Sequence, residues 1–263
     1  MELLEEHINI PALRKALTEF KGNKPFDHCV VKNFFKPEIA EALSNEFPGY
    51  SSDAWFVYEN AVENKKALND WNMFPPLTYT IFTLLNSKEF IRYLEIATEA
   101  CLYADNGLHG GGWHIHGQGG NLNPHLDYSI HPKLGLERKI NIIIYISPEM
   151  DREEYGGHLG LYDNNSDEAG KVIKEIAPVF NQAVIFDTTQ DSWHGMSRTL
   201  QQPEGVYRKS LAAYYLTSPC KETASRSRAL FSPRKEQRQD KDVLDLIQKR
   251  VSEDNCSEVY RKE

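Results

Sequence analysis

The stretch NPHLDYS, residues 123–129, places His125 and Asp127 one residue apart. In a β-strand, residues i and i+2 point to the same face, so both side chains would face one interior. An imidazole and a carboxylate are suitable ligands for a divalent metal ion. His194, which follows the apolar run QAVIFD, is the best third ligand in the chain. Two histidines and one carboxylate leave coordination positions open, which is typical of non-haem iron sites and not of closed structural zinc sites.

The chain around this motif changes character after residue 107. A glycine-dense stretch, GLHGGGWHIHGQGGN, is followed by short apolar runs that turn residues separate. Strands at this spacing predict a β-sandwich or barrel, and they argue against repeated βαβ units. The runs are ERKINIIIYIS, GGHLGLYD, KVIKEIAPV, QAVIFD, HGMSRTL and VYRKSLAAYYLT.

The rest of the chain predicts helices on both sides of this β region. Residues 1–104 read mainly as helix, with one strand in FDHCVVKNFF, and Ser87 is a suitable N-cap between two helices. Residues 221–263 are charged and contain one amphipathic helix, VLDLIQKRV. We therefore expect a mainly β fold with flanking helices. In a single domain, residues 1–104 would support a core of residues 105–220, and residues 221–263 would form a helical tail.

Composition excludes some classes of partner. The 263 residues carry a formal net charge of -8, which argues against nucleic acid as a partner. The longest apolar run, INIIIYI, is too short to span a bilayer, and the acidic start MELLEEHINI does not resemble a signal peptide. Four scattered cysteines without a CxxC motif favour reduced thiols. We therefore expect a cytoplasmic protein that binds neither membrane nor nucleic acid.

A second candidate site lies in VYRKSLAAYYLT. Arg208 and Ser210 share one face of this predicted strand, and an arginine fork with a hydroxyl group suits a carboxylate. A buried arginine needs a partner, because an unpaired buried charge is costly. A bound dicarboxylic acid would supply that partner. The alternative is a structural ion pair with an acidic residue of the chain.

Three motifs together resemble a known family. PHLD, the distal WHG and the following RKS are similar to those of the 2-oxoglutarate and Fe(II)-dependent oxygenases, in the branch of the prolyl hydroxylases. The resemblance covers about residues 105–218, with its elements in the family's order. It implies a double-stranded β-helix, or jelly roll, with the metal in its mouth. Fe(II), 2-oxoglutarate and O2 would be the cofactor and co-substrates.

The resemblance also implies roles for individual residues. His125, Asp127 and His194 would hold the iron, and Arg208 would bind the distal carboxylate of 2-oxoglutarate. By motif position, Tyr145 and Ser210 would help to hold that carboxylate; the alternative for Tyr145 is an ordinary core aromatic. His116 would contact the co-substrate or the substrate, because of its position on the predicted strand before the metal motif. The roles of three further histidines stay open: His114, His131 and His158.

The expected reaction is hydroxylation of an unactivated C–H bond, with succinate and CO2 as co-products. Asp127 argues against halogenation, because related halogenases carry a small residue at that position. We expect a small metabolite or biosynthetic intermediate as substrate, and the N-terminal helices offer a surface for a homodimer. Three alternatives stay open: a prolyl or protein hydroxylase, another oxidation such as desaturation or cyclisation, and a non-catalytic protein that binds a metal or ligand.

Overall fold

The computed structural model describes residues 2–150, 152–165 and 168–251. These residues form fourteen strands. In chain order they are β1 His28–Lys32, β2 Phe56–Glu59, β3 Glu63–Leu68, β4 Tyr103–Ala104, β5 Gly112–His116, β6 Asn121–Leu122, β7 His125–Leu126, β8 Glu137–Tyr145, β9 Leu159–Asn165, β10 Glu168–Ile176, β11 Gln182–Asp187, β12 His194–Met196, β13 Arg208–Thr217 and β14 Leu230–Phe231.

The strands build two antiparallel sheets. The larger sheet has nine strands in the order β1-β11-β8-β13-β5-β3-β2, with β4 paired to β13 and β6 to β3. The smaller sheet has five strands in the order β10-β9-β12-β7-β14. The predicted mainly β fold is confirmed. Neighbours in space are often distant in sequence, so the sheets bring residues from many segments to one site.

Six α-helices flank the sheets in the described part of the chain. Four of them begin as expected from local sequence: Pro37 opens α3, Pro76 opens α4, Ser87 caps α5, and Asn9 caps α2. None of the helices in the described residues is long and apolar enough to cross a membrane. The bounds are α1 Glu2–His7, α2 Ile10–Leu17, α3 Pro37–Asn45, α4 Pro76–Leu85, α5 Lys88–Thr98 and α6 Lys241–Val251.

The main hydrophobic core lies between the larger sheet and the N-terminal helices. Ile140, Ile142 and Ile144 of β8 are fully buried there with Phe82 of α4 and Phe90 of α5. Each such side chain contributes about 1.5–3 kcal/mol by leaving water. Because side chains alternate along a strand, the other face of β8 is free to line a cavity.

One hairpin of the larger sheet was not predicted. Strands β2 and β3 fall in the region that the sequence assigned mainly to helix, and β3 has the polar sequence ENKKAL. It is a strand because it pairs with β5, with Lys66 opposite Ile115. At the edge of a sheet, polar side chains are common, so hydrophobic alternation gives no signal there.

Candidate active site

Three of the predicted ligands meet in the structure. One potential ligand atom from each of His125, Asp127 and His194 lies within 4.8 Å of the others. The Nε2 atom of His125 is 3.7 Å from Asp127 Oδ1, and that of His194 is 3.8 Å from Asp127 Oδ2. All three residues are buried. Such a cluster can hold one divalent cation.

The backbone fixes the orientation of both imidazoles. The Nδ1 atom of His125 bonds to the carbonyl of Asn123 at 2.9 Å, and that of His194 bonds to the carbonyl of Ser192 at 2.8 Å. Both Nε2 atoms are therefore left with a lone pair for a metal. This second contact of a ligating histidine is a regular feature of protein metal sites.

The charges of the cluster also suit a metal. Burial lowers the pKa of His125 to about 3, so its imidazole is neutral at pH 7. Burial alone would raise the pKa of Asp127, but Arg138 and the two histidines lower it to about 2. Asp127 Oδ2 is buried and has no hydrogen-bond partner among the described residues. Neutral imidazoles with an ionised, unsatisfied carboxylate are the form that binds Fe(II) or a similar cation.

Strand pairing in the smaller sheet brings the two histidines together. His194 of β12 lies directly opposite His125 of β7, although Asp127 itself follows the end of β7. Gly195 permits this approach. A Cβ atom on Gly195 would lie 2.6 Å from the carbonyl oxygen of Asn123 and 2.8 Å from the Cα atom of Pro124.

Arg138, which the sequence did not single out, contacts the ligand carboxylate. Its Nη1 atom lies 3.1 Å from Asp127 Oδ1, and its Nη2 atom donates to the carbonyl of His109 at 2.7 Å. The guanidinium lies between the rings of Tyr128 and Tyr214, 3.5 and 3.4 Å from their centroids. Burial alone would lower the pKa of Arg138, but Asp127 and the tyrosines raise it. The side chain is thus a rigid cation beside the metal site.

Arg208 lies in the same cavity and points a charged group into it. Its Nε atom donates to the carbonyl of Gly157 at 2.9 Å, and its guanidinium lies 4.8 Å from the centroid of the Tyr145 ring. Among the described residues, no carboxylate forms an ion pair with it. Burial lowers its pKa, with Tyr145 opposing. This arrangement favours a ligand carboxylate over the alternative of a structural ion pair.

The other predicted co-substrate residues surround Arg208. Ser210 lines the cavity, two residues along the same strand. His116 lies directly opposite Arg208 in the register of β5 and β13, and neither of its ring nitrogens has a hydrogen-bond partner among the described residues. Burial and Arg208 hold the pKa of His116 well below its usual value. Tyr145 packs behind Arg208 and belongs to a hydrophobic cluster with Leu161 and other residues.

The three histidines without an assigned role have different positions. His114 lines the cavity, and burial lowers its pKa to about 3. His131 lies behind the cavity, with its Nε2 atom 3.6 Å from Asp105 Oδ1. His158 is buried near Arg198 and Glu175, on the wall of a different depression.

The cavity that contains these groups has a volume of about 480 Å³. Several lining residues were missed by sequence reasoning, namely Lys65, Tyr128, Arg138, Arg228 and Phe231. Phe231 of β14 stacks on the ring of His125, with 5.1 Å between the ring centroids. No motif marked four of these positions, because they come from the edge hairpin, a bulged strand and the C-terminal segment. The fifth, Tyr128, directly follows the ligand Asp127.

Comparison with known proteins agrees with this geometry. Residues 111–216 match the 2OG-Fe(II) oxygenase superfamily. Over 79 residues the chain is 32% identical to prolyl 3-hydroxylase OGFOD1 of Mus musculus. The matched segment is 30% of this chain and spans only 14% of that relative.

Solved structures share the fold. A prolyl-4-hydroxylase from Pseudomonas putida has a TM-score of 0.55 at 13% identity, over 79% of this chain and 100% of that one. HygX from Streptomyces hygroscopicus, solved with nickel, 2-oxoglutarate and hygromycin B, has a TM-score of 0.52 at 12% identity, over 78% of this chain and 87% of that one. The expected double-stranded β-helix is thus confirmed. The motifs, the matched residues 111–216 and the fold are thus similar to those of the 2-oxoglutarate and Fe(II)-dependent oxygenases, with prolyl hydroxylases among the similar proteins.

Proposed function

We propose that this protein is an Fe(II) and 2-oxoglutarate-dependent dioxygenase that hydroxylates an unactivated C–H bond of a small metabolite or biosynthetic intermediate. The observation that carries the proposal is a single cavity that holds both the cluster of His125, Asp127 and His194 and the cation of Arg208. A metal site alone would also suit a binding protein. The buried cation of Arg208 can bind one carboxylate of a dicarboxylic acid, as a site for a metal and 2-oxoglutarate requires.

In this mechanism, the side chains of the protein bind the metal and 2-oxoglutarate and orient them in the cavity. The two histidines and Asp127 would hold the metal, because their potential ligand atoms lie within 4.8 Å of one another in the cavity. Arg208 and Ser210 bind the distal carboxylate of 2-oxoglutarate, which fixes the position of its other end. When bound, Fe(II) supplies the redox chemistry by which 2-oxoglutarate, O2 and the substrate C–H bond give succinate, CO2 and an alcohol. The overall reaction needs no side chain of the protein as a general acid or base.

The size of the cavity supports a small substrate. Its volume of about 480 Å³ lies within the range of small-molecule sites, and 2-oxoglutarate would take part of it. The similarity to prolyl hydroxylases favours a second candidate, hydroxylation of a prolyl or other side chain in a protein. We also propose a cytoplasmic location and no nucleic-acid or membrane partner. Cys29, Cys101 and Cys220 are free thiols, which suits a reducing compartment.

An anaerobic titration with Fe(II) and 2-oxoglutarate tests the proposal. We expect a weak visible absorption band when both are present, and succinate after O2 is admitted. His194→Ala should remove the band and the succinate while the circular dichroism spectrum is retained. Iron binding without any effect of 2-oxoglutarate would overturn the proposal in favour of a metal-binding protein. Normal succinate production by His194→Ala would show that the ligand assignment is wrong.

A further inference from the structure

Two cations in the cavity have no role in the proposed metal and 2-oxoglutarate sites. They are Lys65 of the edge hairpin and Arg228 of the segment before β14, and both line the cavity. Lys65 belongs to strand β3, whereas Arg228 lies in the irregular segment before β14, and the two regions are far apart in sequence. Cations inside a cavity need a compensating anion, because water is partly excluded there.

Lys65 has two weak contacts among the described residues, with the carboxylate of Glu63 and with the ring of Tyr58, whose centroid is 5.0 Å from Nζ. Its Nζ atom is 3.7 Å from Glu63 Oε2, and the side chain is 15% exposed. Glu63 is already engaged, since its other oxygen, Oε1, contacts Arg250. Lys65 also acts on the metal cluster, because its charge lowers the pKa of His125 and of His194. Lys65 thus lies near the metal cluster and shares the single negative charge of Glu63 with Arg250, which leaves one positive charge in excess.

Arg228 is the second such cation. Its Nε atom is buried and has no hydrogen-bond partner among the described residues, and none of their carboxylates forms an ion pair with it. The residue lies three positions before Phe231, which stacks on His125. This places Arg228 on the side of the cavity formed by the smaller sheet. The position of Arg228 in the cavity wall and its unsatisfied Nε donor indicate that it binds a group of a ligand.

The charge balance of the cavity leads to the same conclusion. Asp127 is paired with Arg138, and Glu63 with Arg250, so these charges cancel. Burial lowers the pKa of His109 to about 4 and that of His114 to about 3, so these histidines add no charge at pH 7. Fe(II) and doubly charged 2-oxoglutarate cancel each other, so three positive charges remain, those of Arg208, Lys65 and Arg228. Arg208 is engaged by the distal carboxylate of 2-oxoglutarate, and Lys65 and Arg228 are left for another anion, although the whole chain has a net charge of -8.

We propose that the primary substrate carries an anionic group, a carboxylate or a phosphate, which Lys65 and Arg228 bind. This inference rests on the proposed function, because it assigns these cations to the substrate of the same site. An anionic group held at one end would orient the rest of the molecule so that one C–H bond faces the metal. Specificity would then come from where the anion is held, in addition to the shape of the cavity.

Chloride is the probe for this anion site. The protein is loaded with Zn(II) and 2-oxoglutarate, so that the metal ligands and Arg208 are occupied and no turnover occurs. The excess line width of the chloride NMR signal then reports exchange with the sites that remain, namely any open position on the metal and the cationic side chains, and the variants separate these two contributions. We expect Lys65→Met and Arg228→Met each to lower the affinity for chloride about tenfold at this site.

Two matched controls distinguish this site from the surface. Lys66 is the neighbour of Lys65 on the same strand, but its Nζ atom donates to the carbonyl of Tyr50 at 2.7 Å. Arg238 is an exposed arginine of the C-terminal region, 3.8 Å from Glu168. Lys66→Met and Arg238→Met should leave the excess line width of the cavity site as it is in the wild type. An equal loss in all four variants would overturn the proposal.

Competition in the wild-type protein gives a readout that depends on no substitution. Acetate and methyl phosphate are each titrated against chloride. Displacement at lower concentration by one of them identifies the substrate group as a carboxylate or a phosphate. Absence of displacement by both would overturn the proposal even if a variant failed to fold.

The same samples separate this inference from the proposed function. Binding of 2-oxoglutarate to the Zn(II) protein is measured first by calorimetry, without any other anion. If 2-oxoglutarate does not bind, but Lys65→Met and Arg228→Met lower the affinity for chloride and the two controls do not, the proposed function fails and the anion site stands. If 2-oxoglutarate binds and neither anion displaces chloride, the proposed function stands and the anionic substrate is excluded.

Discussion

Arg138 and Asp127 form an ion pair, with 3.1 Å between Arg138 Nη1 and Asp127 Oδ1. The other carboxylate oxygen, Oδ2, is buried and has no hydrogen-bond partner among the described residues. The guanidinium therefore engages one oxygen and leaves the other for a metal. We expect the carboxylate to bind the metal through a single oxygen, because rotation that brought both oxygens to the metal would break the ion pair.

Arg138→Met should weaken metal binding about 10- to 100-fold, which is the usual effect of removing a side chain that orients a ligand. Calorimetric titration with Co(II) measures this affinity without turnover. Arg226→Met is the control, because Arg226 bonds only to the backbone carbonyl of Asp127, at 2.8 and 3.1 Å. Equal affinities of the wild type and Arg138→Met would contradict the assigned role.

Arg208→Met should raise the concentration of 2-oxoglutarate needed for half-maximal binding about 10- to 100-fold. The reason is the loss of a charge-assisted hydrogen bond, which contributes about 1.5–3 kcal/mol. Calorimetry on the Zn(II) protein measures the change. Arg208→Lys keeps the charge without the planar fork, so its affinity for 2-oxoglutarate should lie between those of the wild type and Arg208→Met. A variant with wild-type affinity would place the carboxylate elsewhere.

Gly195→Ala should weaken metal binding and lower the thermal unfolding midpoint. Its Cβ atom would lie 2.6 Å from the carbonyl oxygen of Asn123, so β12 would have to move away from β7. Overpacking of this kind costs about 1–3 kcal/mol. Gly49→Ala is the control, because a Cβ atom there meets no atom within 4 Å. An unchanged Co(II) affinity in Gly195→Ala would contradict this prediction, because it would show that His125 and His194 still bind the metal after β12 moves.

Cys29 should resist alkylation in the native protein, although Cys101 and Cys220 react. Burial raises the pKa of the Cys29 thiol to about 12, and only the thiolate is a good nucleophile. The thiol therefore stays protonated up to pH 9, whereas the other two are exposed. Peptide mapping after iodoacetamide treatment, with and without denaturant, measures each site. Rapid native labelling of Cys29 would mean that β1 opens easily.

Much of the fold and of the metal cluster was predictable from local sequence. Regular alternation and turn residues marked the strands from β8 to β13, and a proline or a serine marked the starts of α3 and α5. His125 and Asp127 are only one residue apart, so the chain itself keeps them close, although Asp127 lies just beyond the end of β7. His194 follows a clear apolar strand, which made it a recognisable third ligand.

Arg138 could not be predicted, because a bulge changes the face on which it lies. By simple alternation it shares the face of Ile140, Ile142 and Ile144, which point into the core. The register between β13 and β8 shifts, with Tyr215 opposite Ile140 but Leu216 opposite Arg138. This extra residue turns Arg138 to the cavity side. Bulges depend on the partner strand, so the sequence of β8 alone does not reveal one.

Lys65 was missed for a different reason. Strand β3 has two adjacent lysines, and only the pairing with β5 decides which of them faces the cavity. Lys66 points to Tyr50, and Lys65 points to the site. Arg228 lies in a segment without regular structure before β14, where no periodicity indicates direction. Both depend on contacts between segments that are far apart in the chain, β3 with β5 and β14 with β7.

The hairpin of β2 and β3 lies at the edge of the larger sheet, while the metal ligands belong to or follow strands of the smaller one. Substitutions, insertions or deletions in this hairpin would reshape the wall that carries Lys65 and would leave the pairing of His125 with His194 intact. During evolution, a lineage could therefore acquire a new substrate by changing a short edge segment, while it inherited the same reaction chemistry unchanged.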